Sequence, residues 1–308
     1  MFVGDRSHAY LWEQGNCSSI AGVHQRVIPN LQDGQLCFES LAGAVNSEEM
    51  KRDPHFPVQQ LIVLENTHNR CGGVALPAAH VDQIGTFAHS KGMKLHIDGA
   101  RILNAATALQ VSPALLVAQA DSVSLCLSKG LGCPAGGVVV GSSSFISRVK
   151  RAKKALGGTM RQSGFLAATG RFALGTWQVD LQADHDNAKW LAQELQTIQG
   201  LQVTSPCTNT IFLQCDADNN STTTSSRGEG EKGVRGGVYS SSGVDTVATG
   251  LVDLWGRNGV LVSMFSPTLI RVVTHRCTPR DALQEAVRHI VEVTPPYLDQ
   301  ARKSMQAA

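Results

Sequence analysis

Leu61-Ile-Val-Leu-Glu65 is a continuous apolar run that stops at a carboxylate. A run without alternation is expected of a central parallel strand buried on both faces. It leads into Asn66-Thr-His-Asn-Arg-Cys-Gly-Gly73, a polar loop ending in glycine. Downstream, the spacing predicts an amphipathic helix over 78–91 and the next strand over 94–97, ending at Asp98-Gly-Ala-Arg101. Helices through Ala108 and over 113–119 lead to Asp121-Ser-Val-Ser-Leu-Cys-Leu-Ser-Lys-Gly-Leu-Gly-Cys133. Val123, Leu125 and Leu127 give that strand its apolar face, which stops at Lys129. Gly130 and Gly132 free the backbone there for a tight loop. Another strand is expected over 136–141, a helix over 145–156, and a glycine-rich loop with Arg161 after it. Upstream, 1–4 and 22–28 are expected as short strands. Strands alternate with helices, so this half is expected to be α/β, a mostly parallel sheet covered on both faces.

From residue 165 the pattern changes. Long helical stretches run to Ile198, and short strands are expected over 201–204 and 210–214. Residues 216–243 hold Asn, Ser, Thr, Gly and a few charges, with almost no large apolar side chain. Such a segment cannot bury enough surface to offset ordering, so it is expected to be a disordered insertion. A helix over 247–258, strands over 260–264 and 270–274, and a final helix from 279 to 293 follow. We therefore expect a large domain over 1–172 and a smaller α+β domain over 173–308.

The 308 residues are 42% apolar and 17% charged, with a net charge of +2, as in ordinary soluble chains. This balance provides no electrostatic footprint for nucleic acid or an acidic membrane. The one basic run, Arg148-Val-Lys-Arg-Ala-Lys-Lys154, is expected to be a solvated helix face. None of the eight cysteines pair as C-x-x-C, so they are read as reduced thiols of an intracellular protein, without a zinc ribbon. No apolar stretch is long enough to span a bilayer. No signal peptide is expected, because Met1–His8 already reads as the end of a strand.

Ligands of open α/β sheets bind beyond the carboxyl ends of the strands. Four strands here end near reactive side chains: His8, His68, Asp98 and Lys129. Asp98 and Lys129 are 31 residues apart, which suits one right-handed crossover. A lysine hemmed by Ser128 and glycines can hold its amine partly desolvated, as a nucleophile toward carbonyl carbon; alternatively it caps a strand. Asp98 could protonate a heteroaromatic nitrogen, or simply cap the next helix. Arg101 could neutralise oxygen charge or sit on the surface. His68 lies in a polar loop, a poor place for a core histidine. Arg271 interrupts the apolar strand Ile-Arg-Val-Val-Thr-His, which a substrate carboxylate would explain by bidentate pairing. An imine-forming lysine, a carboxylate and a stackable histidine are together what pyridoxal phosphate needs.

Four stretches carry a resemblance: Glu65–Gly73, His96-Ile-Asp-Gly-Ala-Arg101, Ser124–Gly132 and Gly157-Gly-Thr-Met-Arg-Gln-Ser-Gly164. In this order they resemble the low-specificity L-threonine aldolases, enzymes of the aspartate-aminotransferase-like pyridoxal-phosphate fold. The likeness implies that Lys129 is the Schiff-base lysine, Asp98 the pyridinium partner and Arg101 a cofactor-site arginine. It implies that His8 stacks on the ring, that His68 lies near the substrate hydroxyl, and that Arg271 clamps the substrate carboxylate. Trp12 stands where an aromatic, often tyrosine, is expected. The implied activity is cleavage of L-threonine or L-allo-threonine to glycine and acetaldehyde, in threonine catabolism and glycine formation. A homotetramer, built as a dimer of dimers if the family's N-terminal segment is present, is implied, and a cytoplasmic setting is expected, with a mitochondrial one left open. Family members also carry an upstream segment of roughly a hundred residues, longer than one βαβ unit, with a phosphate-gripping Ser-Gly-Thr-x-Gly-Asn type loop. No such loop precedes His8, so the large domain is expected to be incomplete at its N-terminus. Two alternatives stay open: a truncated, non-catalytic or partner-dependent subunit, and a related β-eliminating lyase.

Overall fold

The computed structural model describes residues 1–215 and 246–306. The insertion expected at 216–243 lies outside the described residues. The chain divides into two compact units, Met1–Ala183 and Asp184–Ala308, and the boundary falls within the helix Trp177–Leu195.

Six strands build the sheet of the first unit. They are β1 (Phe2–Gly4), β2 (Arg26–Ile28), β3 (Leu61–Glu65), β4 (Lys94–Asp98), β5 (Ser122–Cys126) and β6 (Gly137–Gly141). Their spatial order is β2-β1-β3-β4-β5-β6. Every neighbouring pair is parallel except β5 with β6. The last four residues of β3 are all buried, as a strand covered on both faces requires. In β4 the burial alternates: Leu95 and Ile97 are fully buried, while His96 and Asp98 on the other face are half-buried.

The core joins Phe2, Ile62, Leu64, Leu95 and Ile97 to Val81, Ile84 and Ala88 of the helix Ala78–Ser90 and to Ile102, Ala105 and Ala106 of the helix Ile102–Leu109. Each large aliphatic side chain so buried is worth about 1.5–3 kcal/mol. Gly92, with φ of 72°, turns the chain from the first of these helices into β4.

β6 departs from the expected covered sheet. It runs antiparallel, it ends the sheet, and all five of its residues are exposed despite the run of three valines. The helix Ser143–Ala155 that follows has no buried residue, so its basic run is solvated, as expected.

The second unit holds a four-stranded antiparallel sheet. Its strands are β7 (Leu201–Val203), β8 (Thr210–Cys215), β9 (Ser263–Ser266) and β10 (Leu269–Val273), in the order β7-β8-β10-β9. Ile211, Leu213 and Ile270 pack with Leu251 and Trp255 of the helix Val247–Arg257 and with Val287 and Ile290 of the helix Arg280–Gln306.

Candidate active site

Parallel strands bring their carboxyl ends to one edge. β1, β3, β4 and β5 are successive neighbours, so Gly4, Glu65, Asp98 and Cys126 end side by side. Glu65 lies opposite Asp98, and Asp98 opposite Ser124. The segments that follow these ends carry His8, His68, Arg101 and Lys129.

His8 opens a short helix after β1. Its ring stacks on Trp12, with centroids 5.0 Å apart and an interplanar angle of 27°. Its Nε2 lies 2.7 Å from Glu13 Oε1.

His68 follows β3 in a loop closed by its own backbone. Its N–H donates to the Val74 carbonyl at 2.8 Å, and its carbonyl accepts from Gly73 N at 3.0 Å. The Asn66 side chain pins the same loop by pairing with both backbone groups of Leu76. His68 is 1% exposed, and among the described residues neither ring nitrogen has a hydrogen-bond partner. Burial, helped by the charge of Arg6, pushes its pKa down to about 4. The ring is therefore neutral at ordinary pH and keeps one lone pair to offer.

Asp98 closes β4 and is half-buried. Its Oδ1 accepts from Ala100 N at 3.3 Å, two residues on. The helix after it starts at Ile102 with Arg101 in the N-cap position and no side-chain cap bond. Asp98 thus does not cap that helix, and its carboxylate stays at the strand end. Lys129 lies three residues beyond β5, half-buried, in a turn closed by Gly132 N donating to its carbonyl at 2.8 Å. Gly132 takes a φ of 69°, as that turn requires.

Arg271 belongs to the second unit, on β10 between β8 and β9. Its guanidinium sits 5.7 Å over the Phe265 ring, and burial lowers its pKa.

One buried carboxylate at the rim had no role in the sequence reading. Glu65 is 6% exposed and accepts the backbone N–H groups of His8 and Asn69. Burial, with the nearby Asp98 charge, raises its pKa, while the two donors oppose that rise. The available signal was an acid in the last position of an otherwise apolar strand.

An amine, an acid, an arginine, a stacked imidazole and an unpartnered buried imidazole thus follow neighbouring strand ends. This donor set fits pyridoxal phosphate: an amine for its aldehyde carbon, an acid for its ring nitrogen, and a flat ring for its face. The two unpartnered nitrogens of His68 point the same way, since buried polar atoms in folded proteins are nearly always paired.

Residues 1–218 match the family model described as Beta-eliminating lyase. The chain is 33% identical over 287 residues to the low specificity L-threonine aldolase of Escherichia coli O157:H7, covering 93% of this chain and 75% of that protein. It is 43% identical over 218 residues to low-specificity L-threonine aldolase 1 of Arabidopsis thaliana, covering 70% of this chain. It spans only 60% of the length of that plant relative. Among solved structures, the threonine aldolase of Leishmania major superposes with a TM-score of 0.68 at 14% identity, over 95% of this chain and 76% of that one. At that identity the likeness speaks to the fold alone.

Proposed function

The chain belongs to the beta-eliminating lyase family, alongside the low-specificity L-threonine aldolases, and from there we propose that it is a pyridoxal-phosphate-dependent lyase. The reaction proposed is cleavage of L-threonine or L-allo-threonine to glycine and acetaldehyde. The observation that carries this is the side-by-side ending of β1, β3, β4 and β5, whose ends and following segments hold His8, His68, Asp98 and Lys129.

The cofactor, when bound, supplies an electron sink for the pair released at Cα. Lys129 would hold its aldehyde carbon through Nζ. The Asp98 carboxylate would keep its ring nitrogen protonated, and Arg101 would balance oxygen charge. His8, already stacked on Trp12, offers a flat ring to the cofactor face. His68 takes the β-hydroxyl proton on its unprotonated ring nitrogen, directly or through one water. Its neutrality, imposed by burial, keeps that nitrogen free to accept. Arg271 pairs with the substrate carboxylate through its planar fork.

On the same reading the chain serves threonine catabolism and glycine formation in the cytoplasm, as a homotetramer built as a dimer of dimers if the family's N-terminal segment is present. Supporting the setting, none of the eight cysteines, all described residues, forms a disulfide. Among the described residues, no helix is long and apolar enough to cross a membrane. A 1–172 and 173–308 division is proposed with the cofactor held by the first part, while the compact units of the fold divide after Ala183.

Acetaldehyde release from threonine, with the visible absorbance of the bound cofactor, is the direct test. Replacing Lys129 by Ala should lower turnover by roughly a thousandfold or more. A Lys129→Ala protein that kept its rate would end the proposal. Products from threonine, serine and phenylserine separate aldol cleavage from β-elimination.

A further inference from the structure

We propose that Glu65 is a positioning residue whose carboxylate clamps the two histidine-bearing loops to one another. The proposal deepens the lyase reading and rests on it for its kinetic test, while its structural test stands alone. Glu65 closes β3 with a side chain that is 6% exposed. Its Oε2 accepts the peptide N–H of His8, 57 residues upstream. Its Oε1 accepts the peptide N–H of Asn69, the residue after His68, at 2.9 Å.

Each donor belongs to the main chain, so it cannot swing away without moving its loop. The carboxylate therefore sets where the backbone runs at His8 and just after His68. Charge-assisted bonds of this kind are about twice as strong as neutral ones. The loops also meet at a second point, where the Arg70 guanidinium lies 5.7 Å over the Trp12 ring. Trp12 is the partner of the His8 ring, so this contact links the His8 ring to the loop that follows His68. Glutamine has the shape of Glu65 but cannot copy the clamp. Its amide would set an NH2 group against one of the two N–H donors.

Amide hydrogen exchange on the full chain tests the clamp. Glu65→Gln should speed exchange by about tenfold or more in both the 5–12 and 66–74 segments. Asn69→Pro removes one donor without touching Glu65. Proline suits the first position of the 3-10 helix Asn69–Cys71, and His68 before it is extended, with φ −84° and ψ 101°. Asn69→Ala is its side-chain control. With threonine as substrate, Glu65→Gln and Asn69→Pro should each lose roughly a hundredfold, in kcat rather than KM, from misplaced groups. Asn69→Ala should keep most of kcat.

Unchanged exchange at either loop in Glu65→Gln overturns the clamp. Loosened loops with unchanged kcat overturn the positioning role, as does an Asn69→Ala protein as impaired as Asn69→Pro. If Glu65→Gln does not fold, the Asn69 pair decides by the same two measurements. If the unaltered chain does not cleave threonine, the lyase reading fails and exchange alone decides the clamp.

Discussion

His68 is held neutral by burial, and that has a measurable consequence. Its folded pKa, about 4, lies below the ordinary histidine value. Between those two values the unfolded chain binds the proton more readily than the folded one. Stability should therefore be flat above about pH 6.5 and fall as pH drops toward 4, by at most on the order of 3 kcal/mol from this group. His185, also buried and lowered to about 4, adds a slope of the same sign. Urea titrations across this range should show a shallower loss for His68→Gln than for the unaltered chain. Equal losses would mean that the imidazole is not buried in solution. At this scale the sequence was informative for some residues only. His68 could be singled out because its loop is polar, and Lys129 because glycines surround it. The depth of burial of His68 could not be seen, since it depends on Gly34, 34 residues upstream, packing against the loop that Val74 closes.

Just past Asp98 the chain stays close to β5. Gly99 N donates to Ser124 O at 2.9 Å, and a Cβ on Gly99 would lie 2.8 Å from that same oxygen. A backbone atom in a paired strand cannot step aside. Gly99→Ala should thus cost about 2 kcal/mol by denaturant titration and spread the ends that carry Asp98 and Lys129. Gly130→Ala is the contrast. Its Cβ would come within 2.8 Å of Leu181 Cδ2 and 3.1 Å of Asn104 Oδ1, both side-chain atoms, so buried side chains rather than a strand backbone must shift. Its cost should be smaller than that of Gly99→Ala, at about 1 kcal/mol, because side chains can repack where a strand backbone cannot. If the order is reversed, the strand contact is not the limiting one. Strand existence was legible from apolar runs at 61–65 and 94–97. The fate of Gly137–Gly141 was not. Its valines look like a buried strand, yet all are exposed, because apolar character states a preference and says nothing of what covers the strand.

Each of the two units has a core of its own. In the second, Trp255 is 1% exposed and its indole N–H donates to Thr294 Oγ1 at 2.9 Å. Thr294→Val keeps the shape and removes the acceptor. It should cost about 1–3 kcal/mol, read from urea unfolding followed by tryptophan fluorescence, because the indole N–H is left buried and unpaired. No loss would mean that water or another group takes over the bond. By itself, the order of residues determined which stretches extend and coil, and which four motifs tie the chain to its family. That follows from local chemistry: apolar runs, glycine freedom and side-chain type act over a few neighbours. Only the tertiary structure decided that β6 runs antiparallel at an uncovered edge, that Asp98 leaves the helix after it uncapped, and that Glu65 grips amides 57 residues upstream and 4 residues downstream. Burial and hydrogen-bond pairing belong to several segments at once, so no single stretch contains them.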